Sequence, residues 1–195
     1  MRDIFTRIYL ENIWKEPHST ASGPGSTLEC SEEYLIFLYN YIRQNNIKSV
    51  LDLGCGDFNL MQHFNFNNIN YHGIDIVEHV IQNNIKEYQN NLITFECSSI
   101  IDYIPNKKYD LIICKDVLQH LPVCDVKSIL NNIKQTKFLI INDCFDQSIY
   151  NNRNIVAGEH TGIDLEAEPY HIDGKYIFEW YACATKKRVY QSTIL

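Results

Sequence analysis

The sequence predicts an α/β fold, with a mostly parallel sheet of about seven strands and helices on both of its faces. Short apolar runs recur along the chain, stretches with helical spacing of apolar residues alternate with them, and the last two runs are joined by a short turn. Strands separated by helices pair in parallel, whereas strands joined by a turn pair antiparallel. We therefore expect one domain over residues 1–195, a doubly wound Rossmann-like sheet that ends in an antiparallel strand pair.

The elements of this sheet follow in order along the chain. Apolar residues at helical spacing predict a helix from Ser31 to about Asn45, with Ser31 as its N-cap. The parallel strands are expected at residues 48–53, 71–75, 92–96, 109–114 and 138–141, with helices near 58–66, 78–89 and 124–135. The antiparallel strands are expected at residues 176–183 and 188–193, on either side of a turn at Thr185-Lys186-Lys187.

The first parallel strand leads directly into a glycine turn, Gly54-Cys55-Gly56. Glycines allow the backbone to turn tightly and to approach a ligand closely. About twenty residues later the second strand ends at Asp75, the position where a nucleotide-binding sheet holds ribose hydroxyls with an acid. The sequence therefore predicts a bound adenosine group, with Asp75 as the ribose ligand.

The residues after the glycines help to choose the cofactor. Dinucleotides require a third small residue so that a helix N-terminus can receive the pyrophosphate, but Phe58 and Asn59 occupy this stretch. Asp57 would repel phosphate, whereas a sulfonium cofactor without phosphate tolerates acids there. A nicotinamide oxidoreductase is the alternative, and it would bind reduced dinucleotide rather than S-adenosylhomocysteine.

Residues 52–56 (Asp-Leu-Gly-Cys-Gly) and 73–76 (Gly-Ile-Asp-Ile) resemble the first two cofactor motifs of class I S-adenosylmethionine-dependent methyltransferases. The resemblance implies S-adenosyl-L-methionine as the cofactor, with the glycines at its methionine portion and Ile76 or Val77 on its adenine. After the third strand, where the family usually carries an acid, Ser98-Ser99 can bond the adenine amino group. The cofactor-binding candidates are Asp52, Gly54, Cys55, Gly56, Asp57, Asp75, Ile76, Ser98, Ser99 and Lys115.

Residues 1–30 combine aromatic side chains with a loop rich in glycine and proline. They could form a fixed helical cap on the core or a lid over cofactor and substrate. With Tyr9, Trp14 and the run Ser22-Gly23-Pro24-Gly25-Ser26, this segment is similar to the start of a small methyltransferase family of bacteria and large viruses, often encoded beside polysaccharide genes. The likeness recurs in residues 114–121. That resemblance favours the lid and implies a sugar acceptor. The substrate and lid candidates are Tyr9, Trp14, Ser22, Gly23, Gly25, Ser26 and Arg153, of which Arg153 could clamp an anionic or hydroxyl-rich substrate.

Methyl transfer requires in-line positioning of both partners and the removal of one proton. If the segment after the fourth strand is helical, Asp116 and His120 lie on one face, where the carboxylate can orient the imidazole as general base. In the alternative, Asp116 caps the helix and His120 packs in the core. Asp143 after the fifth strand is the next candidate, or it binds a loop amide. The catalytic candidates are Lys115, Asp116, His120 and Asp143, and no residue spacing predicts a metal site.

Composition excludes several classes of partner. The net charge is −7, and the longest basic run, Lys186–Arg188, is interpreted as a solvated turn, so we expect no nucleic-acid partner. The fourth strand is followed by Lys115-Asp116-Val117, not by the Asn/Asp-Pro-Pro-aromatic loop of enzymes that methylate base amines.

The chain has no signal peptide and no run long enough to span a membrane, which predicts a cytoplasmic protein. Its seven cysteines never form Cys-x-x-Cys, and we expect free thiols in a reducing compartment.

These observations predict a methyltransferase that acts on a hydroxyl of a small or glycan-linked sugar. Two alternatives remain open at this point. One is a methyltransferase for another small molecule, and the other is an inactive cofactor-binding partner of a glycan-processing enzyme. The oligomeric state is not predicted by the sequence.

Overall fold

The structure, a computed structural model, describes residues 1–105 and 107–193. Its strands are β1 (Ser49–Leu53), β2 (Asn70–Asp75), β3 (Ile93–Cys97), β4 (Leu111–Lys115), β5 (Phe138–Asp143), β6 (Gly174–Ala182) and β7 (Thr185–Ser192). They form one sheet in the order β3-β2-β1-β4-β5-β7-β6. β1 to β5 pair in parallel, whereas β7 pairs antiparallel with β5 and β6. The predicted fold class is confirmed.

Helices cover both faces of this sheet. They are α1 (Arg2–Leu10), α2 (Leu28–Gln44), α3 (Glu78–Tyr88) and α4 (Val123–Ile133). Alternate strand residues point to opposite faces, so Leu111 and Ile113 of β4 join the core under α2, whereas Ile112 and Cys114 join the core under α4. The central strands β1, β4 and β5 are therefore buried on both faces, which is why they appear in the sequence as continuous apolar runs.

The predicted helix at residues 58–66 is wrong. Only a single 3₁₀ turn, Met61–His63, forms there. Phe58 has a φ of +60°, which a helix interior does not accept, and its buried ring packs against Phe66 and Phe95. Tertiary packing of the ring thus overrides the local helical pattern.

The start of α2 also differs from its prediction. The helix begins at Leu28, and Thr27 is its N-cap, because the Thr27 hydroxyl accepts a hydrogen bond from the Cys30 amide at 3.3 Å. Ser31 instead lies at a kink inside the helix with a φ of −135°. Its hydroxyl donates to the Gly25 carbonyl oxygen at 2.7 Å, which ties the glycine-rich loop to the helix.

The interpretation of Lys186–Arg188 as a solvated turn is wrong. These residues belong to β7, and the side chain of Lys187 is only 5% exposed. The reversal between β6 and β7 lies at Cys183, which has a φ of +56°.

The expectation that every cysteine is free is also wrong, because Cys30 and Cys183 form a disulfide. Residue 30 lies in the first turn of α2 and residue 183 at the β6–β7 reversal, so the fold brings together two cysteines that are distant in sequence. The five free cysteines are Cys55, Cys97, Cys114, Cys124 and Cys144. In the described part of the chain, no helix combines the length and apolarity required to cross a membrane.

Candidate functional site

A cavity of about 1030 Å³, which includes the space at its open mouth, lies at the carboxyl ends of β1, β2 and β4. Its walls come from the loop after β1, the end of β2, the segments that follow β3 and β4, and the chain before α2. Cofactor-binding candidates among the lining residues are Asp52, Gly54, Cys55, Gly56, Asp57, Asp75, Ile76, Ser99 and Lys115.

The glycine turn depends on both of its glycines. Gly54 and Gly56 have φ values of +80° and +56°, a region that favours glycine. A Cβ on Gly54 would overlap the side chain of Val117, and a Cβ on Gly56 would lie 2.8 Å from the Ser22 hydroxyl and 2.9 Å from the Tyr9 hydroxyl. The backbone therefore approaches the cavity and its cover more closely than any side chain would allow.

Asp75 is fixed at the end of β2 by backbone amides. Its Oδ2 accepts from the Gly56 amide at 3.1 Å, and its Oδ1 accepts from the Val77 amide at 3.0 Å. Burial raises the pKa of Asp75, although these amide bonds oppose the rise. The carboxylate thus joins the glycine turn to the second strand, on the wall of the cavity.

Two further polar groups lie in the wall beneath the glycine turn. Asp52 accepts a hydrogen bond from the Tyr71 hydroxyl at 2.7 Å, and burial raises the pKa of Asp52 to about 7. The hydroxyl of Tyr34 is buried and has no hydrogen-bond partner among the described residues. Buried hydroxyls are normally satisfied, so this group fits a wall that receives a polar ligand.

The segment of residues 1–30 covers this cavity, and we call it the N-terminal cover. The Tyr9 hydroxyl lies 2.7 Å from the Ser22 hydroxyl, which accepts from the Asp57 amide at 3.3 Å. The Asn59 side-chain amide donates to the Ser26 carbonyl oxygen at 2.8 Å. The cover is therefore held to the loop after β1 by polar bonds.

Aromatic contacts hold the other end of the cover. The ring of Trp14 stacks on His120, with centroids 4.5 Å apart, and Phe5 meets Trp14 edge-on at 5.9 Å. Both Trp14 and His120 line the cavity. A helical element therefore covers the site, which both a fixed cap and a mobile lid require. The movement of this element stays a prediction.

A chain of alternating charges lies beside the cavity, at the ends of β4 and β5. Lys115 Nζ donates to Asp116 Oδ2 at 2.5 Å and to the Gly25 carbonyl oxygen at 2.7 Å. Lys187 Nζ lies 2.6 Å from both Asp116 Oδ1 and Asp143 Oδ1. His160 Nε2 completes the chain at 2.8 Å from Asp143 Oδ2.

The charges of this chain stabilise one another. Burial opposes ionisation of Asp116, but Lys115 and Lys187 hold its pKa well below its usual range. For Asp143, burial is likewise outweighed by the bond from His160 and the charge of Lys187, which lower its pKa. Burial acts against the Lys187 ammonium as well, yet the two carboxylates raise its pKa. All three groups are therefore ionised near neutral pH.

The predicted pairing of Asp116 with His120 is wrong. The segment forms only one 3₁₀ turn, Leu118–His120, and Asp116 has a φ of +59°. Asp116 neither caps a helix nor reaches His120, since lysines occupy both of its oxygens. His120 Nδ1 bonds the Glu159 carbonyl oxygen at 2.9 Å, and burial lowers the pKa of His120 to about 4. The imidazole is thus packed and uncharged.

The side-chain carboxylate of Asp143 bonds neither a loop amide nor His120. Its partners are Lys187 and His160, and sequence reasoning missed both of these residues. Lys187 lies in a basic run that resembles a solvated turn, and His160 lies in a long polar loop without neighbouring motifs. No local signal in the sequence identifies either residue.

The remaining candidates take separate places. Ser98 is absent from the cavity wall, and its amide bonds the Asp75 carbonyl oxygen. Gly23 and Gly25 shape the cover, where a Cβ on Gly25 would lie 2.7 Å from Asp116 Oδ2. Arg153 lies outside the cavity, in a second and more open groove whose lining residues are Phe145, Asp146, Gln147, Tyr150, Arg153 and His160. No group of three His, Cys, Asp or Glu side chains that could hold a metal ion occurs in the ranges that the structure describes.

A sequence model of the family described as "Methyltransferase domain" matches residues 44–190. A search of curated proteins gives no significant match.

Solved structures of methyltransferases share the fold. Magnesium protoporphyrin IX methyltransferase (ChlM) from Synechocystis PCC 6803 with bound S-adenosylhomocysteine is 14% identical, with 97% of this chain and 96% of that chain covered and a TM-score of 0.65. N-methyltransferase NodS from Bradyrhizobium japonicum WM9 in complex with S-adenosylhomocysteine is 12% identical, with coverages of 85% and 88% and a TM-score of 0.60. An S-adenosylmethionine-dependent methyltransferase from Clostridium acetobutylicum ATCC 824 is 15% identical, with coverages of 82% and 90% and a TM-score of 0.58.

Proposed function

The chain belongs to the Methyltransferase domain family, and we propose that it methylates a hydroxyl of a small or glycan-linked sugar. That the protein is a methyltransferase follows from the family. Its cofactor is S-adenosyl-L-methionine, as the family uses and as the sequence predicted. The acceptor is the part that we propose.

The cofactor fits the residues that line the cavity. Gly54 and Gly56 line the cavity with bare backbone, and Asp75 offers carboxylate oxygens to ribose hydroxyls. The unpartnered Tyr34 hydroxyl and the Asp52 carboxyl suit the polar end of the methionine portion. When bound, the cofactor supplies an electrophilic methyl group on a sulfonium.

The protein's own residues position the two substrates and manage the proton. The N-terminal cover lies over the cavity through Tyr9, Ser22 and Trp14, which limits the access of water to the cofactor. We propose that this cover opens as a lid for exchange of the cofactor. Lys115 acts here as a support, because its ammonium bonds the cover and Asp116 at the same time.

The single observation that carries the hydroxyl acceptor is the Asp143–His160 pair beside the cavity. A hydroxyl loses its proton on methylation, so a histidine paired with a carboxylate suits this acceptor. The adjacent groove contains the aromatic rings of Phe145 and Tyr150 and the polar side chains of Gln147 and Arg153, which suit a sugar. The sequence resemblance to a family encoded beside polysaccharide genes supports the same class.

The net charge of −7 supports a small-molecule or glycan partner over nucleic acid. The cytoplasmic location stays a prediction.

The test combines calorimetry with an acceptor screen. We expect S-adenosylhomocysteine to bind, and Asp75→Ala to weaken that binding at least 10-fold. The protein is then incubated with S-adenosylmethionine and a panel of nucleotide sugars and free sugars, and products are identified by mass spectrometry. Methylation of a sugar oxygen supports the proposal. Transfer only to amines or other small molecules, or cofactor binding without transfer to any acceptor, overturns the sugar assignment.

A further inference from the structure

The pair formed by Asp143 and His160 lies at the carboxyl end of β5, which is adjacent to β4 in the sheet. His160 Nε2 is 2.8 Å from Asp143 Oδ2. The carboxyl group is buried, whereas the imidazole is 41% exposed. The imidazole therefore has one nitrogen fixed by a buried charge and one edge open to solvent or to a ligand.

His160 lies between the cofactor cavity and the second groove. Its ring centroid is 5.5 Å from that of His120, which lines the cavity, and 5.8 Å from that of Phe145, which lines the groove. His160 therefore lines the groove and adjoins a side chain of the cavity wall. This is the position that a general base for a groove-bound acceptor requires.

The hydrogen bonds define the tautomer of His160. The ionised Asp143 carboxylate can only accept, so Nε2 carries the proton of the 2.8 Å bond. Nδ1 then holds a lone pair, and no hydrogen bond to Nδ1 occurs within the described ranges. Nδ1 is thus a free acceptor for a proton.

The other candidate bases are less suitable. Both oxygens of Asp116 already accept from lysine ammonium groups. His120 is half-buried, its Nδ1 is committed to the Glu159 carbonyl oxygen, and Trp14 covers its ring. Burial resists the positive charge that His120 would gain by taking a proton. Asp143 beside His160 would instead stabilise such a charge.

We propose that His160 is the general base of the reaction, and that Asp143 is the positioning residue that fixes its tautomer and stabilises its charged form. This inference rests on the proposed hydroxyl methylation. The acceptor oxygen forms a bond to the methyl carbon as the carbon–sulfur bond breaks, and the electron pair of that bond neutralises the sulfonium. The hydroxyl proton passes to His160 Nδ1, which leaves an imidazolium next to the Asp143 carboxylate.

The first test is methyl transfer to the sugar of the acceptor panel that the wild type methylates. We expect His160→Gln and His160→Ala to lower kcat at least about 100-fold, since general bases contribute a factor of this order or more. Added imidazole should restore part of the rate of His160→Ala. The matched control is His171→Gln, an exposed loop histidine paired with Glu168, which should keep the wild-type rate. Loss of activity in His120→Gln but not in His160→Gln overturns the inference.

The second test needs no acceptor. Nitrogen NMR of the S-adenosylhomocysteine complex identifies which nitrogen of His160 carries the proton. We expect the proton on Nε2 in the wild type and a mixture of tautomers in Asp143→Asn, whose amide accepts and donates equally well. A proton on Nδ1 in the wild type overturns the inference.

The two tests separate this inference from the proposed function. If no sugar is methylated, the proposed acceptor class fails, while the NMR result still decides whether Nδ1 is free to take a proton. If a sugar is methylated at the wild-type rate by His160→Gln, the acceptor class stands and the base is another group. The rescue by imidazole distinguishes loss of a base from loss of structure.

Discussion

Lys187 and Asp143 are joined by a buried ion pair in which Nζ lies 2.6 Å from Oδ1. The same ammonium lies 2.6 Å from Asp116 Oδ1, so one lysine of β7 links the ends of β4 and β5. This link connects the antiparallel end of the sheet to the proposed catalytic pair. It also explains how two carboxylates remain ionised in a buried place.

Replacement of Lys187 by Met should destabilise the protein by about 3–5 kcal/mol, because both carboxylates lose a buried partner. Urea unfolding at pH 7 measures the loss. The control is Lys186→Met, whose ion pairs with Asp146 and Glu179 are long and lie at the surface, so the free energy of unfolding should barely change. Equal effects of the two substitutions would contradict the buried network.

Asp52 should make the protein less stable as the pH rises. The pKa of Asp52 is raised from 3.8 to about 7 in the folded state. Between these two pH values the carboxyl is protonated in the folded protein and ionised in the unfolded chain. The stabilisation is complete below pH 4 and is lost as the pH rises through 7. Asp52→Asn keeps a partner for Tyr71 and removes this dependence.

Relative to the wild type, Asp52→Asn should therefore gain on the order of 4 kcal/mol of stability between pH 4 and pH 8. Urea unfolding of the ligand-free protein across this range measures the difference. A constant difference at every pH would show that Asp52 ionises normally.

Gly56→Ala should weaken binding of S-adenosylhomocysteine at least 10-fold in calorimetry. The new Cβ would lie within 3 Å of the Tyr9 and Ser22 hydroxyls, and the residue would keep a φ of +56°, so the turn or the cover must move. Gly174→Ala in β6 is the control. It introduces a clash with the Gln191 carbonyl oxygen far from the cavity, and it should lower the melting temperature without weakening binding.

Trp14→Ala should loosen the N-terminal cover, since it removes the stacked contact with His120. We expect faster dissociation of S-adenosylhomocysteine, by about 10-fold for a loss near 1.4 kcal/mol, and faster proteolysis between residues 11 and 27. Leu10→Ala, at a side chain with 65% exposure, should change neither rate. Unchanged dissociation in Trp14→Ala would favour a fixed cap.

Cys183→Ser should lower the free energy of unfolding by about 2–5 kcal/mol, because the disulfide with Cys30 closes a long loop in the unfolded chain. Dithiothreitol should lower the melting temperature of the wild type and leave that of Cys183→Ser unchanged. Cys124→Ser, at an exposed free thiol, should keep the response of the wild type. A wild type that does not respond to the reductant would contradict the pairing.

Most of the fold could be predicted from the sequence because strands buried on both faces leave continuous apolar runs. The run at β4 and the alternation of strands with helices α3 and α4 are examples. The missing helix at residues 58–66 shows the limit of this approach. The φ of Phe58 is determined by its packing against aromatic rings of β2 and β3. A local sequence pattern does not contain these tertiary contacts.

The candidate site could be predicted in part for a similar reason. The glycine turn and Asp75 lie at strand ends, where a short motif fixes both position and chemistry. His160 and Lys187 reach Asp143 from distant parts of the chain, 17 and 44 residues away, and such contacts depend on the whole topology. The prediction of Asp116 and His120 as a pair failed because it assumed a regular helix.

The bond from Lys115 to the Gly25 carbonyl has a consequence for the kinetics of cofactor exchange. Any motion that separates Gly25 from Lys115 removes one of the acceptors of the nearly buried Lys115 ammonium, and water must enter to solvate it. Release of S-adenosylhomocysteine should therefore have a large activation enthalpy and accelerate steeply on warming. At low temperature this release should limit the rate of turnover.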